Sequence, residues 1–299
     1  LVASTLEKGL LYAGTDRGAF WVTKNDGANW EEQSKGLANN YIRSICPSGF
    51  AKGRVYVAMT GINYDDLQSY IYVSEDYGKN WKSISAGLPN EPVNVILEDP
   101  TMDNILYAGG LRGVYISTNR GETWAYLGHN MPSAAVADLE IHLDTKDLVV
   151  ATHGRGIYKI NLLPIHAMVS ENLTWDKDYL FDIAESNRPW FSPHSSLPDV
   201  HNFEKTSFTF WLGNAKSVVL SVKDEESNTV WTTTYLGKRG FNEFRWDLVV
   251  KKNVSNNNTP YFIPRDIYLK SGNYKFLLTD GNTELEKAFI VYEGVKSQK

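Results

Sequence analysis

Apolar residues in the first half of the chain come in short runs broken by turn residues, and the runs repeat. Leu10-Leu-Tyr-Ala-Gly-Thr-Asp-Arg-Gly-Ala-Phe-Trp21 and Ile105-Leu-Tyr-Ala-Gly-Gly-Leu-Arg-Gly-Val-Tyr-Ile116 read as strand, tight turn, strand. Asp147-Leu-Val-Val-Ala-Thr-His-Gly-Arg-Gly-Ile-Tyr-Lys-Ile160 is a further copy. Each is accompanied by another apolar strand, such as Val93-Asn-Val-Ile-Leu97. From residue 205 the pattern changes to alternating runs: Ser207-Phe-Thr-Phe-Trp-Leu212, Ser217-Val-Val-Leu-Ser-Val222, Thr229-Val-Trp-Thr-Thr-Thr-Tyr235, Asn242-Glu-Phe-Arg-Trp246, Tyr274-Lys-Phe-Leu-Leu278 and Lys287-Ala-Phe-Ile-Val-Tyr292. Alternation with turn signals between runs predicts half-buried strands of a β-sandwich.

Three eight-residue segments punctuate the first half: Thr23-Lys-Asn-Asp-Gly-Ala-Asn-Trp30, Ser74-Glu-Asp-Tyr-Gly-Lys-Asn-Trp81 and Ser117-Thr-Asn-Arg-Gly-Glu-Thr-Trp124. All read [S/T]-x-[D/N]-x-G-x-x-W, with tryptophans 51 and 43 residues apart, the period of a propeller blade. Asn25, Asp76 and Asn119 suit a turn in which a side-chain oxygen accepts backbone N–H groups, and the Ser or Thr can add another bond. Gly27, Gly78 and Gly121 suit a positive φ. Trp30, Trp81 and Trp124 are expected to pack between strands. The segment is therefore a structural staple for a hairpin.

These repeats resemble the Asp-box (BNR) repeats of sialidases, sortilin-type Vps10 propellers and two-propeller xyloglucanases. The resemblance is strongest to bacterial sortilin-like proteins labelled "glycosyl hydrolase". It rests on the boxes, on Ala151-Thr-His-Gly-Arg-Gly-Ile-Tyr158, and on Ser83-Ile-Ser-Ala-Gly-Leu-Pro89 followed by Val93-Asn-Val-Ile96 and Glu98-Asp-Pro100. It covers residues 1–165 well and the remainder loosely. Gly240-Phe-Asn-Glu-Phe-Arg-Trp-Asp247 and Ser271-Gly-Asn-Tyr274 resemble the immunoglobulin-like domain of flagellar hook-capping type, which often ends exported bacterial proteins.

The expected fold is all-β: a partial propeller of about four four-stranded blades, then an immunoglobulin-like sandwich. Residues 1–162 would form the blades, 163–204 a linker wrapping the propeller, and 205–299 the sandwich. With four strands per blade, lettered A to D from the inside, residues 136–162 supply A, B and C of a fourth blade but no D. So few blades cannot close a ring without open edges. The expectation is a C-terminal part of a larger propeller whose N-terminal blades are further partners.

Loop placement then directs the search for chemistry. B–C and D–A loops share one end of a blade, while A–B loops and the boxes share the other. The B–C loops present Asp16 and Arg17, the insertion Gly61-Ile-Asn-Tyr-Asp-Asp-Leu-Gln68, Arg112, and His153 with Arg155. These are the candidate ligand-binding residues, because a guanidinium can bind an anionic or sugar ligand through its planar fork. The alternative is that each Arg-Gly is a tight turn belonging to blade geometry. Asp65 and Asp66 are the candidate catalytic carboxylates. Glycoside hydrolysis needs two carboxyl groups flanking the bond, and adjacent residues in a strand point apart, so one of them would need a partner elsewhere. The arginine triad and Tyr/Glu pair of a sialidase cannot be placed.

Composition narrows the classes. The net charge of −5, with signs interspersed, offers no basic stripe for nucleic acid. One cysteine, Cys46, and six scattered histidines give no disulfide and no metal-ligand spacing, so no metal and no cofactor is expected. No apolar run approaches the roughly 18 residues of a membrane span. No GxSxG, P-loop or HExxH occurs. No signal peptide is visible, though the chain starts at Leu1 without Met. Together with the resemblance this leads us to expect a secreted, periplasmic or cell-surface bacterial protein. Its expected role is non-catalytic binding of glycan or of protein or peptide ligands. The alternative is part of a glycoside hydrolase completed by other blades. In the second half, Trp211, Trp231 or Trp246 could serve a carbohydrate-binding module as a sugar platform, or be core.

Overall fold

The computed structural model describes residues 1–128, 131–173, 175–191, 198–199, 204–251 and 266–294. The chain divides into two compact units, Leu1–Leu173 and Thr174–Lys299.

The first unit contains four consecutive antiparallel sheets. Blade 1 runs β1 (Val2–Ala3), β2 (Leu11–Gly14), β3 (Phe20–Thr23) and β4 (Glu31–Glu32). Blade 2 runs β5 (Tyr41–Pro47), β6 (Val55–Gly61), β7 (Asp66–Ser74) and β8 (Lys82–Ser83). Blade 3 runs β9 (Val93–Glu98), β10 (Leu106–Gly110), β11 (Val114–Ser117) and β12 (Ala125–Tyr126). Blade 4 has β13 (Val136–His142), β14 (Asp147–Thr152) and β15 (Ile157–Asn161), with no D strand among the described residues.

Alternation sorts the side chains of each B strand to two faces. Tyr12, Phe20 and Val22 of blade 1 pack against Ile42, Val55, Val57 and Met59 of blade 2 in one core. Tyr56, Ala58 and Ile71 of blade 2 meet Ile96, Leu106 and Ala108 of blade 3 in the next. Blade 4 continues the series: the Asn94 side-chain amide donates to the Val136 carbonyl at 2.8 Å, and Leu139, Leu148 and Val150 are buried.

After blade 4 the chain forms a helix, α1 (Leu163–Ser170), with Pro164 in its first turn, where proline's missing N–H costs nothing. Its Ile165 and Met168 are buried.

The second unit is built from β16 (Tyr179–Leu180), β17 (Ser186–Asn187), β18 (Trp190–Phe191), β19 (Pro198–Asp199), β20 (Thr206–Leu212), β21 (Lys216–Lys223), β22 (Thr229–Gly237), β23 (Gly240–Trp246), β24 (Val249–Lys251), β25 (Ile267–Tyr268), β26 (Gly272–Thr279) and β27 (Glu284–Tyr292). A five-stranded sheet, β17-β27-β26-β21-β22, and a three-stranded sheet, β16-β20-β23, share one core. Phe208 of the smaller sheet stacks on Phe276 of the larger with ring centres 4.0 Å apart. This is a β-sandwich.

The described residues of the stretch 163–204, expected as a linker, divide between the two units. Residues 163–170 are α1 of the first unit, whereas β16 to β19 belong to the second. β16 pairs with β20, and β17 runs parallel to β27. Trp175 packs on Trp211 at 4.5 Å, and the Trp211 indole donates to the Trp175 carbonyl. Trp211 and Trp246 are core residues, 1% and 4% exposed. Trp231 is half-buried against Trp246 at 4.5 Å.

Candidate functional site

Hydrogen bonds between loops fix which loops share an end of the blades. At the box end, box amides donate to the A–B loops: Asp26 to Gly9, Tyr77 to Gly53 and Arg120 to Asn104. At the other end, D–A loops meet B–C loops. The His153 amide donates to Ala135, and Asn40 donates to Asp66. Gly18 sits so close to the following D–A loop that a Cβ there would lie 2.9 Å from the Ala38 carbonyl oxygen, and its φ of +81° also favours glycine.

The boxes themselves are closed networks. In blade 2 the Ser74 hydroxyl accepts the Asp76 and Gly78 amides at 3.2 and 2.8 Å and donates to the Asp76 carboxylate at 2.9 Å. That carboxylate also takes the Asn80 amide at 2.9 Å. Thr23 with Asn25 and Ser117 with Asn119 repeat the arrangement around Gly27 and Gly121. Asn80 and Ser74 hold the Asp76 carboxyl below its ordinary range. The indoles of Trp81 and Trp124 reach across to the preceding blade and donate to the Gln33 and Ile84 carbonyls at 2.9 and 2.7 Å. Trp30 packs beside Gly27 within its own box. These bonds tie the hydroxyl and the Asn or Asp of each box to its own turn, and the Trp81 and Trp124 indoles join their boxes to the preceding blade.

There, the blade 2 insertion is the largest feature. Its hairpin extends through a 3-10 turn, Ile62–Tyr64, and closes with Asp65 in the left-handed region at φ +57°. Asp65 is exposed, as are Ile62, Tyr64 and Leu67. Asp66 is different. Its carboxylate accepts the Tyr70 hydroxyl at 2.7 Å, the Gln68 amide at 3.0 Å and the Asn40 side-chain amide at 3.2 Å. These donors, Tyr70 foremost, pull its pKa below the ordinary range. In turn the bond to Asp66 pushes the Tyr70 phenol up to about 12. Asp66 thus ties the insertion to the D–A loop and stays ionised.

The neighbouring blade has a carboxylate that sequence reasoning missed. Glu91, 2% exposed, accepts the Tyr115 hydroxyl at 2.8 Å and the Arg112 amide at 3.4 Å. Its second oxygen accepts no hydrogen bond and faces the Arg112 guanidinium at 3.3 Å. The Ser69 hydroxyl, beside Tyr70, donates to the Glu91 backbone carbonyl at 2.6 Å. Asn40 and Glu91 each stand three residues after the Leu of a Gly-Leu pair, and that recurrence of a polar residue was the available signal. Both brace the B–C loop of the blade they open.

Of the other candidates, Asp16, Arg17, His153 and Arg155 are exposed on tight turns, and Arg112 is exposed while anchored to Glu91. They lie on the B–C turns of blades 1, 3 and 4, at the same end; Asp65 lies at that end too, on the blade 2 insertion. Among the described residues no group of three or more His, Cys, Asp or Glu is placed to hold a metal ion. No helix among them is long and apolar enough to cross a membrane.

Two further buried carboxylates lie at the opposite end. Glu98, 6% exposed, is raised by burial despite bonds from Ser48, the Gly49 amide and Tyr56. Asp99, fully buried, accepts the Tyr107 hydroxyl at 2.9 Å and faces His166 of α1 at 2.7 Å. Burial works to raise Asp99, but His166 and the Thr101 amide and hydroxyl outweigh it and hold its pKa down.

Residues 71–84 match the BNR-Asp box repeat. No curated protein matches the chain in sequence. Among solved structures, the GH74 xyloglucanase from Xanthomonas campestris is similar at 11% identity and TM-score 0.43, over 83% of this chain and 38% of that one. The Niastella koreensis GH74 enzyme is similar at 13% identity and TM-score 0.43, over 96% and 45%. YCF48 bound to D1 peptide is similar at 11% identity and TM-score 0.38, over 77% and 67%. The chain spans less than half the length of either GH74 enzyme.

Proposed function

We propose that the chain is a non-catalytic recognition portion of an exported bacterial protein of the sortilin-like Asp-box kind, engaging a glycan or protein ligand through its B–C and D–A loops. In this reading the second unit is an immunoglobulin-like spacer. The observation that carries the proposal is the state of the carboxylates. A glycosidase needs a carboxyl group held protonated beside the scissile bond. At the loop end, Asp66 is pulled in the other direction and its oxygens are occupied by three donors. The carboxyl raised by its surroundings, Glu98, is buried at the box end behind Ser48 and Tyr56. What the loop end does offer is one exposed arginine on each of blades 1, 3 and 4, namely Arg17, Arg112 and Arg155, and the exposed Asp65 and Tyr64 of blade 2.

The test is a glycan and peptide array probed with the chain, repeated with Arg17→Ala, Arg112→Ala and Arg155→Ala. Binding to one ligand class, weakened at least tenfold in one or more variants, supports the proposal. A parallel hydrolysis assay on bound glycans includes Asp65→Asn and Asp66→Asn. Turnover by the chain that either change abolishes would replace the proposal with the glycoside hydrolase reading.

A further inference from the structure

Two grooves of the same build lie between consecutive boxes. The first has a volume of about 300 Å³; Val22, Asn25, Asn29 and Glu31 of blade 1 form one wall, and Tyr77 and Lys79 of blade 2 the other. The second has a volume of about 400 Å³; Val73, Asp76, Asn80 and Lys82 of blade 2 form one wall, and Arg120 and Glu122 of blade 3 the other. From one groove to the next the residues of the first wall are 51 positions apart and those of the second wall 43, the spacings of the box tryptophans. The repeat has therefore copied a cleft as well as a turn. Val22 and Val73 are buried at its floor, joined in the second groove by Tyr56 and Ile84. Both volumes are those of small-ligand sites.

Half of the charged lining is already engaged. Arg54 holds Glu75, Asp103 holds Arg120, and Asp76 accepts the Asn80 side-chain amide at 2.7 Å. Lys24 lies over the Tyr77 ring at 3.5 Å. Four exposed charges remain: Glu31 and Lys79 on opposite walls of the first groove, Lys82 and Glu122 on opposite walls of the second. Among the described residues Lys79, Lys82 and Glu122 make no side-chain hydrogen bond or ion pair, and Glu31 accepts only a 3.4 Å bond from Gln33. Each groove thus sets an acid across from an amine without joining them, and the signs are exchanged between the two grooves.

That exchange selects among ligands. A simple anion or cation meets a repelling wall in either groove. A hydroxyl donates to a carboxylate and accepts from an ammonium, so it is satisfied whichever wall carries which charge. A sugar ring adds C–H surface for the valine floor. We propose that both grooves are binding sites for a neutral saccharide, one sugar unit in each, its hydroxyls spanning the acid and the amine. The grooves lie at the box end, apart from the loop residues of the proposed function, and stand or fall independently of them.

The probes are cellotetraose and maltotetraose, titrated into the full chain and followed by the indole NMR signal of Trp81, which lines the second groove. A saturable shift in about the millimolar range is expected for at least one of them. Lys82→Ala and Glu122→Ala should each weaken it about fivefold or more, with unchanged melting profiles as the check on folding. The double change Lys82→Glu with Glu122→Lys, which gives the second groove the sign pattern of the first, should restore binding to within about twofold. No saturable shift with either tetraose, single changes without effect, or a double change no better than the single ones overturns the proposal. Tighter binding of the acidic tetramer of galacturonate would also overturn it, by assigning the groove to an anion.

Discussion

Replacing Trp124 by Ala tests whether the box tryptophans clamp blade to blade. The indole is half-buried in the core between blades 2 and 3 and donates to the Ile84 carbonyl at 2.7 Å. Removing a half-buried indole costs about 2 kcal/mol in packing, below the range for a fully buried one, and a net hydrogen bond adds about 1 kcal/mol. Trp124→Ala should therefore cost about 3 kcal/mol. Trp124→Phe, which keeps most of the ring and loses the donor, should cost about 1 kcal/mol. Trp30 supplies the internal control. It is also half-buried, but it packs on its own box at Gly27, and no acceptor for its indole occurs among the described residues. Trp30→Ala should cost about 1 kcal/mol on the scale of partial burial. The assay is native-state hydrogen exchange read by mass spectrometry. The reporters are the Gly121 amide, bonded to Ser117 at 2.8 Å, and the Ile84 amide, bonded to Ile71. A loss of about 3 kcal/mol speeds exchange through local opening roughly 100-fold. Trp124→Phe should give about fivefold. Equal acceleration of their own blades by Trp30→Ala and Trp124→Ala would refute the clamp, because only Trp124 crosses to a neighbour.

The other predictions concern groups whose bonding or titration is set by the fold. Asp99 has a depressed pKa, so its contribution to stability is complete above the ordinary aspartate range, about 3.9, and is lost as pH falls through the folded-state value. Protection of α1 amides, taken relative to their intrinsic exchange rate at each pH, should therefore stay flat from pH 7 down to about 4 and fall below it, and Asp99→Asn should flatten that fall. The Cys46 thiol is pushed up to about 12 by burial, against a lowering by the Glu98 amide. A thiol reagent at pH 8 should modify the native chain more slowly than the chain in urea, and comparable rates would contradict the raised thiol pKa. Asp66→Ala removes the acceptor for Tyr70, Gln68 and Asn40, so amides of residues 62–69 should exchange about five- to tenfold faster while blade 3 is unchanged.

Much of the blade architecture was readable because its determinants are local and repeated. The box places a hydroxyl and an amide or carboxylate two residues apart, and both bond within the next four residues, so three copies announce three turns. Strands of blade 4 were readable without a box, from Leu148 and Val150 alternating with half-buried positions. What escaped depends on partners far along the chain. β16 has two residues, too few for any period, and its place in the sandwich is set by Trp211 and Phe210 opposite. That is why an aromatic stretch with four prolines read as a wrapping linker. Glu91 escaped because it is one residue in a loop, and its partners, Arg112 and Tyr115, follow it by 21 and 24 residues. Asp99 stood inside a recognised motif, but His166, its partner across 67 residues, gave no pattern of its own.

Blade 4 departs from the others on the face turned away from blade 3, and the departure fits the rest of its chemistry. In blade 2 the corresponding row across strands A, B and C is Cys46, Tyr56 and Val73; in blade 3 it is Leu97, Tyr107 and Ile116. In blade 4 it is Glu140, Val149 and Lys159. Asp138 and His142 flank Glu140 on the same face, and Lys159 pairs with Asp147 at 3.0 Å. Burying that row under an apolar blade face would strip water from Glu140 and Lys159 with nothing to replace it, at a cost of several kcal/mol. A neighbour on this face therefore has to bring polar groups or leave it wet. The row turned away from blade 2 on blade 1 is of the opposite kind, with Leu11, Ala13 and Trp21 half-buried. The two outer faces of the array are thus mismatched, and head-to-tail stacking of one copy on another is disfavoured by the charge on blade 4.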